Sequence, residues 1–216
     1  MKNLGTVLGT GAKASVLGAL FGLLSLTAIT PAQATTYRLD PAHSNVSFKV
    51  RHLMVSWVRG NFSGIAASFD YDEATPEAFD LSVTLDAATI NTGNEKRDKH
   101  LRDTDFLDAA KFPEITFTSK QIRLREDGTG KIVGELTLHG VTKAVTLSLE
   151  DFTAEITDPW GNQRRGASAT LTLDRSDYGI VFNKAMETGG MVVGNEVIIQ
   201  IDAEFIAEKP AEASAE

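Results

Sequence analysis

RDKHLRDTDFLDAAKFPEITFTS, residues 97–119, interrupts the pattern of the chain around it. On both sides apolar and polar residues alternate, the period of a half-buried strand. Within it the spacing turns helical, then reverts at a proline. Asn94 is placed to cap a short helix over Glu95 to Leu101, with Glu95 in the first turn. Thr104 is placed to cap a second over Asp105 to Ala110, stopped by Pro113. From Ile115 the alternation resumes. A helical insert between strands of an all-β domain has to cover something, and the mouth of a barrel is the natural candidate.

Working outward, the strands come in order. Val46, Phe48 and Val50 alternate with Ser47, Lys49 and Arg51. A long stretch from Trp57 to Tyr71 carries Gly60 and Gly64, where bends or bulges are expected. Phe79, Leu81, Val83 and Leu85 precede the insert, and Ile115 and Phe117 follow it. Glu126–Gly130 reads as a hairpin turn, as do His139–Thr142 and Asp158–Asn162. Val145, Leu147 and Leu149, then Ala167, Ala169, Leu171 and Leu173, then Val197, Ile199 and Ile201 supply further apolar faces. This makes about eight long antiparallel strands, with the insert between strands 3 and 4. One apolar face per strand fits a sandwich or a closed barrel. Eight strands can close around one small ligand. A strand of about 15 residues spans roughly 50 Å, so such a cavity would be long and narrow. Ala67, Gly134, Ala167, Ala169 and Ala203 are small enough to leave room for a guest, and equally suit a tapered, filled core.

The ends of the chain read differently. Lys2 and Lys13 precede an uncharged apolar run, Ala14 to Ile29, then Pro31 and Ala32-Gln33-Ala34. This is the pattern of a secretory signal peptide over residues 1–34, with the mature chain starting at Thr35. The domain is then expected over 35–206 and a disordered polar tail over 207–216. Removing 1–34 takes away two lysines and no acid, which moves the net charge from −8 to −10. An acidic surface disfavours nucleic acid and anionic membranes as partners. The absence of cysteine excludes thiolate metal sites and cysteine nucleophiles.

Four histidines raise the question of a metal. His43 and His52 are nine apart, which puts them on opposite faces of one regular strand, and no metal site is assigned. Asp98, Asp103, Asp105 and Asp108 could supply a general acid and base, but they interleave with Lys96, Arg97, Lys99 and Arg102. Such a mixed run is ordinarily a solvated face. No catalytic residue is assigned, and an enzyme working through Asp98 and Asp105 is the rival reading.

The residues Asp40-Pro41-Ala42-His43-Ser44 with Phe48 and Val50, His52-Leu53, and Val58-Arg59-Gly60-Asn61-Phe62 form a recognisable series. It continues through Arg97-Asp98, His100-Leu101, Asp105-Phe106-Leu107-Asp108, Phe112-Pro113, Phe117, and Gly134 to Lys143. In order and spacing the chain resembles the YceI-like lipid/polyisoprenoid-binding family over about Tyr37 to Phe205. Ala144, where the family often has proline, is a departure within a turn. The resemblance implies a lipocalin-like barrel in the periplasm. It would enclose an isoprenoid, a quinone or another fatty amphiphile, with no other cofactor, no turnover and no stable membrane insertion. A homodimer stays open, as does a scavenger of other hydrophobic compounds. The expected ligand contacts are Phe48, Val50, His52, Phe62, Phe69, Leu81, Val83, Phe106, Phe117, Leu136, Leu138, Leu147, Leu171 and Ile199. Among them Phe106 is expected to face inward from the insert as a lid.

Overall fold

The computed structural model describes residues 34–186 and 189–209. Most of the expected signal peptide, and the tail from Pro210, lie outside the described residues. Eleven strands are found among them: Thr35–Leu39 (β1), Asn45–His52 (β2), Ser56–Phe62 (β3), Ile65–Tyr71 (β4), Asp80–Asp86 (β5), Glu114–Leu124 (β6), Gly130–Leu138 (β7), Val141–Phe152 (β8), Ile156–Thr157 (β9), Gln163–Asp174 (β10) and Val193–Ala207 (β11). One helix, Glu95–Arg102 (α1), lies between β5 and β6.

The eleven strands make an eight-staved barrel because two staves are bent and β9 continues β8 along the same edge of β10. β11 pairs with β1 near its C-terminus and with β2 over the rest of its length. β1, a single 3-10 turn at Pro41–His43 and β2 are therefore one stave. Likewise β3 pairs with β2 while β4 pairs with β1 and β5. The ring then runs through β6, β7, β8 and β10, and closes where β10 pairs with β11 over eleven positions from Arg164 to Asp174. The sandwich alternative is thereby set aside. The insert falls between the third and fourth staves, as its place in the sequence suggests. Outward positions on β7 and β8 carry Lys131, Glu135 and Glu150, the reverse of a barrel whose outside faces lipid.

Both bends have local causes. At the first, Asp40 accepts from the Ala42 N–H (3.0 Å), Pro41 fixes the turn, and the Ser44 hydroxyl donates to the Asp40 carbonyl (2.7 Å). At the second, Gly64 is needed because a Cβ there would lie 2.8 Å from the Asp86 Cβ. The Gly64 N–H donates to Thr89 Oγ1 (3.1 Å), and its carbonyl accepts from the Asp86 N–H (2.8 Å). Beyond this point β3 leaves β5, and the insert fills the gap, with Asn61 and Asn91 exchanging both backbone hydrogen bonds.

α1 forms where its cap predicts, Asn94 Oδ1 accepting from the Arg97 N–H (3.0 Å). The second helix does not form. After Asp103 the chain doubles back, with Asp108 at a φ of 45°. The Leu107 and Ala109 N–H groups donate to the Leu101 and Arg102 carbonyls, each at 3.0 Å. These carbonyls would otherwise end α1 without partners, and satisfying them competes with a new helix. The last strand also runs further than its composition suggests. Ala207 pairs with Tyr37, and the Glu208 N–H donates to the Thr36 carbonyl (2.8 Å).

One ion cluster fastens the first bend to the β9–β10 hairpin. Arg164 donates to Asp40 (2.8 Å), Asp158 (2.6 Å) and Glu204. Asp40, His43 and Glu204 come close enough to suggest a cation site, but the Arg164 guanidinium already supplies the positive charge there. The bond from Arg164, then that from His43, lowers the Asp40 pKa from 3.8 to about 2. At Asp158 burial pushes upward and is outweighed by the bonds from Arg164 and Asn162, leaving the carboxyl well below its usual range.

Carboxyl pKa values depressed in the folded state stabilise it above about pH 4, and that contribution is lost as the pH falls through about 2. Arg164→Leu is expected to lower stability at neutral pH, because it strands several carboxylates together. The deficit should shrink toward pH 3 as they protonate. Urea midpoints at the two pH values check this, and equal deficits at both would contradict it.

Candidate functional site: the barrel interior

The barrel is hollow. An internal cavity of about 260 Å³ runs along it, on a scale where one water needs roughly 10–15 Å³. Its wall is hydrocarbon. Ala67, Ala167, Ala169 and Ala203 line it and account for the space. Gly134 does not, because the Phe117 ring lies over it: a Cβ at Gly134 would be 2.4 Å from Phe117 Cζ. Small inner residues thus serve two ends, four leaving space and one seating an aromatic ring.

Thirteen of the fourteen expected contact residues line this one cavity: Phe48, Val50, Phe62, Phe69, Leu81, Val83, Phe106, Phe117, Leu136, Leu138, Leu147, Leu171 and Ile199. They come from β2, β3, β4, β5, β6, β7, β8, β10, β11 and the insert, so closure of the ring is what assembles them. His52 is the exception. It closes β2 opposite Ser56 and Val193, beyond the last lining residue of its strand, Val50. Period-2 parity puts it on the face of Val50, but at the end of the strand its side chain does not line the cavity, although its partner Val193 does.

The two ends are sealed differently. The floor is aromatic, with Phe69, Phe79, Phe152 and Phe205 lining the cavity. Phe69 stacks on Tyr37 (4.8 Å, 10° between planes) and meets Phe205 edge-on (4.8 Å). Behind this layer lies Arg165, only 5 % exposed. Its guanidinium sits over Tyr71 (4.9 Å), Phe152 (5.5 Å) and Tyr37 (5.7 Å). It donates to the Thr153 carbonyl (3.1 Å), the Tyr37 hydroxyl (3.2 Å) and Glu73. Burial alone would lower the Arg165 pKa, but the bonds to Tyr37 and Glu73 prevail and raise it. Burial, then the bond to Glu155, pushes the Tyr37 hydroxyl up.

The other end is covered by the insert and by the segment after β10. Phe106 does face inward. It packs against Phe182 (5.1 Å), and the His100 ring meets both edge-on at 5.0 Å. Leu101, Leu107 and Ile180 complete the apolar underside of this lid. Arg102 donates to the Ala88 carbonyl (3.1 Å) and so ties α1 to the rim. Arg97 and Asp98 tie the helix to its own lead-in instead. Asp98 accepts from the Thr92 N–H (2.9 Å) and hydroxyl, and Arg97 donates to Thr92 Oγ1 (2.7 Å). Asp105 is paired with His100 (2.8 Å). Neither Asp98 nor Asp105 lines the cavity.

Arg175 borders the cavity near the lid and is almost wholly buried. It donates to the carbonyls of Gly194 (2.9 Å) and Ile180 (2.8 Å) and to Asn195 Oδ1 (3.3 Å), and burial lowers its pKa. These bonds hold the segment over the mouth. The sequence gives little sign of it, since Ile180 and Phe182 stand outside any periodic run. Arg165 and Arg175 interrupt apolar alternation and look like surface charges until the fold buries them.

Comparison with known proteins bears directly on this architecture. The model of the YceI-like domain matches residues 37–205. The chain belongs to the YceI-like family. A UPF0312 protein of Ectopseudomonas mendocina (strain ymp) is 40 % identical over 173 residues, spanning 78 % of this chain and 90 % of the relative. The YCEI protein of Campylobacter jejuni is 34 % identical, with a TM-score of 0.62, over 80 % of this chain and 97 % of that one. A protein of Saccharophagus degradans described as a polyisoprenoid binding domain is 18 % identical, with a TM-score of 0.56, over 80 % and 98 %. That last likeness shows the fold alone. Within the YceI-like family fold, the floor and the lid are where this chain encloses its interior.

Replacing Arg165 by Ala removes the stem and charge that back the floor. The expected loss is about 2–4 kcal/mol, from truncation of a buried side chain and loss of its aromatic contacts. A urea midpoint within error of the parent would show that the aromatic layer seals the floor unaided.

Proposed function

We propose that this YceI-like protein is a periplasmic binding or carrier protein that encloses the hydrocarbon tail of an isoprenoid, a quinone or a similar fatty amphiphile. The enclosed hydrocarbon cavity carries the reading. Burying apolar surface is worth about 25 cal/mol per Å², so a long tail binds such a wall without any charged contact inside. The signal-peptide pattern over 1–34 supports export, and a water-filled compartment is where a hydrocarbon tail needs a container. The resemblance to polyisoprenoid-binding proteins agrees with the choice of guest.

A second reading has one observation in its favour. The wall offers almost no polar group to read a head group, so the cavity selects for tail shape, and other hydrophobic compounds would compete for it. Displacement of a hydrophobic dye by both classes would mark a scavenger, and displacement by isoprenoids alone a dedicated carrier.

Gentle purification from membranes followed by mass spectrometry is expected to find an extractable lipid, and stripping it should lower the melting temperature. Ala203→Phe, which places a ring in the cavity, is expected to weaken uptake of an added prenyl quinone by at least about tenfold, near 1.4 kcal/mol, without loss of the fold. A protein that carries no lipid and takes up none when offered sinks the proposal, as does an A203F variant that binds like the parent.

A further inference from the structure

We infer that the lid end of the barrel docks on the surface of a bilayer containing anionic lipids, with the β2–β3 hairpin tip entering the interface. The inference rests on the lipid-carrier reading for its purpose, but its observations are separate.

Seven large apolar side chains are exposed among the described residues, and five of them lie together at this end: Leu53, Met54, Val55, Val181 and Met191. Val55 and Val181 are the most open, at 78 % and 70 %. The Leu53 N–H donates to the Val192 carbonyl (2.8 Å), beside Met191. Val181 stands between Ile180, which lines the cavity, and Phe182, which packs on the lid. The patch is therefore a lip around the mouth, where a tail would pass. The remaining two, Ile156 and Trp160, belong to the hairpin at the floor end.

The backbone holds this display against its own preference. The tip is a tight turn in which the Val55 N–H donates to the His52 carbonyl, and its central residues Leu53 and Met54 have φ of 52° and 59°. Such a turn favours Asn-Gly, and a leucine and a methionine there are strained. No cavity contact repays the strain, because neither residue lines the interior.

Charge identifies the partner. No acid occurs between Asp40 and Asp70, in a chain with 29 acids and a net charge of −8, while Lys49, Arg51 and Arg59 fall in that stretch. Lys49 and Arg59 lie directly opposite on the outer face of β2 and β3, a costly pairing of like charges. Arg51 sits 4.1 Å from the Trp57 ring, and Lys49 5.3 Å. None of the three cations makes a salt bridge among the described residues. Cations and a tryptophan flanking an apolar tip match the headgroup zone of an anionic bilayer. The net charge, which argues against an anionic membrane, is an average that the β2–β3 hairpin at this end does not share.

The test is flotation of the whole protein with phosphatidylethanolamine vesicles containing phosphatidylglycerol, against phosphatidylcholine alone. Binding is expected to the anionic vesicles and to fall as salt is raised. The double variant L53N/M54G supplies the residues the turn prefers, so its melting temperature should rise while vesicle binding falls at least about tenfold, near 1.4 kcal/mol. K49Q/R59Q should remove most of the salt dependence. Undiminished binding by L53N/M54G overturns the docking. So does self-association that this variant abolishes, which would make a second copy the occupant. The two readings separate cleanly: A203F that takes up quinone as the parent does sinks the carrier and leaves docking intact, whereas L53N/M54G that binds vesicles as the parent does sinks docking and leaves the carrier intact.

Discussion

A sheet closed on itself has no free edge, and the whole molecule depends on that closure between β10 and β11. Staves pair with their neighbours around most of the ring, and where β3 leaves β5 the Asn61–Asn91 bridge joins the wall to the insert, so the wall stands without a packed interior behind it. In an open sandwich the same inward residues would collapse onto one another. Held on a ring, Ala67, Ala167, Ala169 and Ala203 cannot reach across, and the space between them persists. Stability therefore comes from the wall and from the two ends, while the middle is left for a guest.

The two ends divide the work. At the floor, Arg165 is clamped by aromatic rings, a backbone carbonyl and the Tyr37 hydroxyl, and the Arg164 cluster fastens the adjoining bend. Removing such a network breaks several desolvated contacts together. The lid is a lighter construction. A short helix, a doubled-back loop and Phe106 against Phe182 cover the mouth, anchored by Arg102 at the rim and by Arg175 beneath. An end held by a few apolar contacts and hydrogen bonds opens at lower cost than one held by a buried network. The lid is therefore the more weakly held end, and it is also the end with the exposed apolar lip.

The charged residues of the insert illustrate how context reassigns a motif. In isolation Asp98 and Asp105 are candidate acids for catalysis. In the fold one holds Thr92 and the other His100, and the carboxylates serve to shape the cover. Asp40 and Glu204 likewise approach a metal-like arrangement with His43, and Arg164 takes the place of the ion. Net charge misleads in the same manner, because the acids are spread over the chain except where β2 and β3 form the mouth.

Much of this was legible from residue order alone. Period-2 alternation put Phe48, Leu81, Phe117, Leu136 and Leu171 on one continuous surface, because parity along a strand is local geometry. The Asn94 cap located α1 for the same reason. The failures were those of length and distance. His52 had the right parity but, at the end of its strand, does not line the cavity, and residues 105–110 gave up a helix to satisfy the end of α1. Phe182, Arg165 and Arg175 had no local signature, since their roles depend on partners far along the chain. Alternation by itself determined which side chains share a face. Only the tertiary structure decided that this face surrounds a void, because whether it does depends on the radius at which the staves close, and no single strand carries that quantity.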